Sequence, residues 1–259
     1  MTTQTDTHSG IHRPLFPKGL YGITPDWQDV ERLDDAIQAA ASGGMKVVQL
    51  RNKTADFNTR LAFAQRLLKT CQRLGVLFIV NDDWRLVQQL GEQGYLGAHI
   101  GRDDGNSQMV RAALGDSVVL GVSCYDDLIR AVAATQAISS QTSNATRLDT
   151  STGLSGQVTV MRPTIDYVAF GAMFASHTKP GAPPATLNIL TQARQHWHHQ
   201  HDRPAIVAIG GINLDNVAQV VRAGADSIAV SGGLFLSTHI ENTARQLTDC
   251  IYEHSTHAL

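Results

Sequence analysis

Cysteine is scarce in this 259-residue chain: Cys71, Cys124 and Cys250 are odd in number, far apart and form no CxxC pair. Such spacing gives no disulfide framework and predicts reduced thiols in a cytoplasmic setting. Long apolar runs are missing too, since none approaches the roughly 18 residues that mark a transmembrane helix. The opening stretch, MTTQTDTHSGIHRP, has no apolar core, so no secretory signal is expected. Charge of one sign is not in excess: 21 Lys+Arg stand against 23 Asp+Glu, a net charge of −2. That balance gives no reason to expect nucleic acid or a membrane surface as a partner. Trp27, Trp84 and Trp197 do not interleave with basic residues and are expected to be packing residues. No GxGxxG follows an early apolar run, which counts against a doubly wound nucleotide-binding sheet. With 42% hydrophobic residues and little net charge, the chain does not have the composition of a disordered protein.

What is present is an alternation. Apolar, β-branched runs fall at Gly19–Thr24, Met45–Arg51, Val76–Val80, Gly94–Ile100, Ser117–Val122, Asp166–Gly171, Ala205–Ile209 and Asp226–Val230. Helical patterns lie between and after them, as at Val30–Ser42, Phe57–Leu74, Asn213–Ala223 and Thr238–His254. Nearly continuous apolar runs suit parallel strands buried on both faces. Eight of them in about 250 residues predict a single (β/α)8 TIM barrel over residues 19–259. Residues 1–18 read as a polar N-terminal arm. The Ser/Thr-rich stretch 139–164 reads as an insertion, with a short strand expected at Gln157–Met161.

Barrels of this kind carry their chemistry at the C-terminal ends of the strands. The second run ends in Gln49-Leu50-Arg51-Asn52-Lys53, and alternation puts Gln49, Arg51 and Lys53 on one side while the chain stays extended. Two cations and an amide in a barrel mouth suit a phosphorylated ligand, and a solvated strand end is the plainer alternative. The third run ends in Val80-Asn81-Asp82-Asp83, the fourth in His99-Ile100-Gly101-Arg102-Asp103-Asp104. Carboxylates from neighbouring strands suit Mg²⁺, which takes one or two of them plus water and phosphate. Asp is equally a helix N-cap; Asp83 and Asp103 suit that role, leaving Asp82 and Asp104 for the metal. Gly210-Gly211 and Gly232-Gly233 follow consecutive strands, where backbone N–H groups can approach an anion. Lys179, in Ser176-His177-Thr178-Lys179 before a Pro/Gly-rich flap, could add a phosphate contact. Two anion sites and a metal in one mouth suggest two phosphorylated substrates, one of which loses pyrophosphate.

These motifs resemble the thiamine-phosphate synthase (thiamine-phosphate pyrophosphorylase) family from about Gly19 to Phe235. The carriers are Gln49-x-Arg51-x-Lys53, Val80-Asn81-Asp82, His99-Ile100-Gly101-x-x-Asp104 and Gly121-Val122-Ser123. They continue with Ser176-x-Thr178-Lys179, Ala208-Ile209-Gly210-Gly211-Ile212-Asn213 and Ala223-Gly224-Ala225-Asp226. The resemblance implies a transferase joining 4-amino-2-methyl-5-pyrimidinylmethyl diphosphate to a thiazole phosphate, with Mg²⁺ as cofactor, by a dissociative displacement. It implies Gln49, Arg51, Lys53, Asn81, Ser123 and Lys179 around the pyrimidine diphosphate, and Asp82 and Asp104 on Mg²⁺. Ser176, His177, Thr178, Gly211, Ser231 and Gly232 would surround the thiazole phosphate, with Arg51, Lys53 and Lys179 acting on the leaving group. The family usually has Gln at Arg102, Thr-Pro-Thr at Ser176-His177-Thr178, and often Val-Ser where Ser231-Gly232 stands.

Two rival readings differ in chemistry. A thiazole tautomerase of the same fold would not need the cationic, metal-binding half of the mouth, and its characteristic histidine has no counterpart in Ser123-Cys124-Tyr125. A non-catalytic sensor of thiamine intermediates would have no need to keep Arg51, Lys53, Asp82, Asp104 and Lys179. The run His196, His198, His199 and His201 reads as a solvated surface rather than a metal site. The oligomeric state stays open, a homo-oligomer included.

Overall fold

A computed structural model of the chain describes residues 16–91, 94–136, 164–175, 184–200 and 202–255. Strand and helix alternate along it: β1 (Gly19–Ile23), α1 (Val30–Ser42), β2 (Val47–Leu50), α2 (Phe57–Leu74), β3 (Leu77–Asn81), α3 (Trp84–Leu90), β4 (Leu96–Ile100) and α4 (Ser107–Leu114). The second half follows with β5 (Val119–Tyr125), α5 (Leu128–Thr135), β6 (Tyr167–Phe170), α6 (Leu187–His196), β7 (Ala205–Ile209), α7 (Val217–Arg222), β8 (Ser227–Val230), α8 (Gly232–Phe235) and α9 (Ile240–Ser255). Every strand pairs in parallel with the next, and β8 closes on β1, giving the expected (β/α)8 barrel. No helix among the described residues is long and apolar enough to cross a membrane.

Local chemistry explains why the boundaries fall where they do. The Asp29 carboxylate accepts the N–H groups of Glu31 and Arg32, satisfying donors that α1 leaves orphaned at its start. Asp56 does the same for Thr59 in α2, which ends at Gly75 in the left-handed conformation (φ 67°). Both helices span the residues that the sequence pattern predicts. Asp83 caps α3 through the Leu86 N–H, as expected. The expectation for Asp103 needs correction: α4 begins later, capped by Asn106 through the Gln108 N–H.

The period of two along the strands separates two apolar layers. One set of positions fills the barrel interior, with Tyr21, Ile23, Val47, Ile79, Val119, Tyr167 and Val207 among them. The alternate set, including Val48, Phe78, Val80 and Val168, meets the helices. Phe16, three residues ahead of β1 and within the span read as a polar arm, belongs to the interior layer. Its ring stacks on Tyr167 at 4.2 Å between centroids. Tyr167 has room because β5 carries Gly121 opposite it in the register. A β-carbon on Gly121 would overlap the Tyr167 ring. Gly121→Ala should therefore cost about 2 kcal/mol by overpacking; an unchanged urea midpoint would refute this.

Two buried charge clusters lie at the N-terminal end of the barrel, opposite the expected mouth. Arg111 pairs with Asp166 at 2.8 Å and also donates to the carbonyls of Thr164, Gly115 and Val118. Asp226 receives Arg203 at 2.6 and 2.8 Å, Arg194 at 2.9 Å and the Ile206 N–H at 2.8 Å. Burial would raise the Asp226 pKa, but these hydrogen bonds and guanidinium charges hold it below the ordinary carboxylate value. The insertion expected at 139–164, apart from Thr164, and its short strand lie outside the described residues.

Candidate functional site

Inward positions at the C-terminal ends of β2 to β5 are polar, which is the first mark of the site. Gln49, Asn81, His99 and Ser123 continue the inward-facing set, with Asn81 opposite His99 in the β3–β4 register. Gln49 and His99 are buried, while Asn81 and Ser123 are partly open. Asn81 makes no side-chain hydrogen bond among the described residues, so its amide remains available at the mouth. Beneath these residues run Tyr21 and Tyr167, which the sequence reading gave no role. Arg130 of α5 was also missed; it donates to the carbonyls of Ser123 and Gly101 and so ties β5 to the β4 loop.

The cations lie just beyond β2. That strand stops at Leu50, so Arg51 and Lys53 sit in a turn rather than on an extended strand as the spacing predicts. Their backbone is held by short bonds: the Arg51 N–H donates to Thr24 Oγ1 at 3.0 Å, and the Lys53 N–H to Asp26 at 3.1 Å. Arg51 is half-buried and its guanidinium meets no carboxylate among the described residues. Lys53 Nζ lies 3.6 Å from the Asp82 carboxylate.

Asp82 takes a left-handed backbone conformation, φ 65°, which Asp tolerates better than most residues but which still carries strain. Its N–H donates to the His99 carbonyl at 2.8 Å, the bond that closes the Asn81–His99 pair at the end of the β3–β4 ladder. Lys53, Asn81, Asp82 and Arg60 line one cavity of about 220 Å³ at this corner. Asp104 folds back so that its Oδ2 accepts the Gly101 N–H at 2.7 Å, while its carbonyl takes the Trp84 indole at 3.0 Å. Both carboxylates thus sit at the same end of adjacent strands. Hard oxygen donors of this kind fit Mg²⁺.

Across the barrel, Gly210 and Gly211 take φ 100° and 65° and pack against residues 172–175 after β6. Gly210 accepts the Phe174 N–H at 3.0 Å, and Asn216 Nδ2 donates to Gly211 at 3.0 Å. Ser231 precedes α8 without capping it through its hydroxyl. A methyl group on Gly232 would meet only Leu236, so the backbone is open there. Ser176, His177, Thr178 and Lys179 lie outside the described residues. His196, His198 and His199 are exposed at the end of α6, and no metal-holding group of three or more His, Cys, Asp or Glu occurs among the described residues; His201 lies outside them.

Comparison with known proteins decides the family. The family model for thiamine monophosphate synthase matches residues 20–142 and 151–234. The chain belongs to the thiamine monophosphate synthase family. A thiamine-phosphate synthase of Bordetella pertussis is 47% identical over 231 residues, 89% of this chain and 93% of its own length. One from Alcanivorax borkumensis is 40% identical over 236 residues, covering 90% and 93% of the two chains. The solved thiamine phosphate pyrophosphorylase from Pyrococcus furiosus superimposes with a TM-score of 0.67 at 20% identity, covering 91% of this chain and 96% of that one. At that identity the likeness shows the shared barrel fold. In this family member the two halves of the barrel's C-terminal end differ in kind: side-chain cations and carboxylates follow β2 to β4, glycines follow β7 and β8.

Proposed function

We propose that this chain joins a pyrimidinylmethyl diphosphate to a thiazole phosphate, releasing pyrophosphate, by a dissociative displacement in the barrel mouth. Its class, a transferase that makes thiamine phosphate, follows from the family membership. The observation that supports the residue assignment is that Arg51, Lys53, Asp82 and Asp104 all follow the C-terminal ends of β2, β3 and β4, with Lys53 3.6 Å from Asp82. Arg51, Lys53 and Asn81 hold the diphosphate, with Lys179 as a third cation. Gln49 and Ser123 hold the pyrimidine from below. Gly211, Ser231 and Gly232, with Ser176, His177 and Thr178, hold the thiazole phosphate. Asp82 and Asp104 hold Mg²⁺, which when bound supplies positive charge to the diphosphate.

Charge then accounts for the chemistry. Breaking the C–O bond places negative charge on the departing pyrophosphate, where the Arg51 guanidinium and Lys53 ammonium stabilise it. The electron-rich aminopyrimidine supports the positive methylene left behind. The thiazole nitrogen, held close through its phosphate, captures that carbon, so proximity replaces an enzyme nucleophile. Cys124, next to Ser123 in sequence, is no alternative nucleophile: burial pushes its thiol up to about 12. Free thiols at Cys71, Cys124 and Cys250 accord with a reducing cytoplasm.

Mixing both substrates with the protein and Mg²⁺ should release pyrophosphate in step with thiamine phosphate. Saturable binding without product would instead favour the sensor. Asp104→Asn should lower Mg²⁺-dependent turnover about tenfold, with the apparent Mg²⁺ constant raised and the unfolding midpoint nearly unchanged. Full activity at low Mg²⁺ would remove Asp104 from the metal assignment.

A further inference from the structure

Five polar side chains form a continuous line through the barrel interior. Gln49 Nε2 donates to Tyr21 Oη at 2.7 Å, and Tyr21 Oη lies 3.0 Å from Tyr167 Oη. Tyr167 Oη is 2.9 Å from His99 Nδ1, and His99 Nε2 is 2.9 Å from Ser123 Oγ. Tyr21 and Tyr167 are 1% and 0% exposed, so their hydroxyl protons must be given to protein acceptors. With the Gln49 amide nitrogen turned toward Tyr21, the direction of the line follows link by link. Tyr21 accepts from the Gln49 amide, which leaves its own proton for Tyr167. Tyr167, having accepted, gives its proton to His99 Nδ1. A ring nitrogen that accepts carries no proton, so neutral His99 holds its proton on Nε2 and donates it to Ser123. Ser123 Oγ, having accepted from below, has its hydroxyl proton left for the mouth.

We infer that the line from Gln49 through Tyr21, Tyr167 and His99 orients Ser123 as a hydrogen-bond donor, selecting a substrate ring that offers an unprotonated nitrogen acceptor. Tyr21, Tyr167 and His99 are positioning residues in this arrangement, acting through Ser123. The aminopyrimidine has such ring nitrogens, so the inference rests on the placement of the pyrimidine over Ser123 proposed above. The opposite polarity corresponds to Gln49 turned over, with its carbonyl facing Tyr21. Every link would then reverse, His99 would carry its proton on Nδ1, and Ser123 would donate inward.

Nitrogen-15 NMR of the full chain with labelled histidine reads this directly, the His99 signals being assigned by their loss in His99→Asn. The expected result is a neutral ring protonated at Nε2, changing to a mixture of tautomers in Tyr167→Phe. A ring protonated at Nδ1, or a tautomer unmoved by Tyr167→Phe, overturns the inference. In steady-state kinetics Tyr167→Phe and Ser123→Ala should each raise KM for the pyrimidine diphosphate about tenfold, leaving kcat and the KM for thiazole phosphate within about twofold. A general packing defect would not confine its effect to one KM. If the tautomer is as expected but Ser123→Ala leaves that KM unchanged, the pyrimidine does not sit on Ser123. The placement is then wrong, and the selective role with it.

Discussion

Replacing Arg51 by alanine is expected to lower kcat by about 10²–10³, the usual loss when one preorganised donor to a developing charge is removed. The size follows from where Arg51 stands. Its guanidinium meets no carboxylate among the described residues, whereas Lys53 shares its charge with Asp82 at 3.6 Å. It is also half-buried, so its field is less screened than that of the exposed Lys53. The backbone N–H of Arg51, not its side chain, makes the bond to Thr24 that shapes the turn, so the fold should tolerate the change. Stopped assays of pyrophosphate release should show the loss in kcat with little change in the KM for thiazole phosphate. A kcat within threefold of the parent would mean that departing charge is not stabilised at this corner. Arg51→Lys should recover only part of the activity, because an ammonium lacks the planar fork that grips two phosphate oxygens at once.

Features fixed by short-range chemistry were legible in the sequence. The ends of α1 and α2 follow from Asp caps and the glycines beyond them, all within a few residues. The barrel follows from repeated apolar runs, whereas the alternation expected of Gln49, Arg51 and Lys53 fails after Leu50, where β2 ends. The Asp103 cap was misread because Asp104 turns back to take the Gly101 N–H, delaying the helix until Asn106 can cap it. Tyr21 and Tyr167 escaped notice for a different reason. They are 146 residues apart and look like ordinary aromatic members of apolar strands. Only closure of the barrel brings their hydroxyls together with His99, which is itself 68 residues from Tyr167. Phe16 was hidden in the same way, as one of a few apolar residues in a mostly polar stretch.

The sequence also conceals a division of labour between the two ends of the barrel. Asp226 lies within the span that the family model matches, yet it stands at the N-terminal end of the barrel, opposite the cations that follow β2. It gathers Arg203, Arg194 and Lys18 around one buried carboxylate and fixes the start of β7 through the Ile206 N–H. Removing it in Asp226→Ala would leave the largely buried Arg203 without its counter-charge and should cost about 3–5 kcal/mol. Urea unfolding near pH 7 measures this directly, and a loss below 1 kcal/mol would show that the arginines find other partners or solvent. The pH dependence supplies a second check. Because the folded pKa lies below the ordinary value of 3.8, the carboxylate's stabilising contribution is full above that value and is lost as pH falls through the lower folded one. The gap in stability between parent and Asp226→Ala should therefore stay constant down to about pH 4 and narrow only below it. A gap that closes at higher pH would assign the stabilisation to some other group.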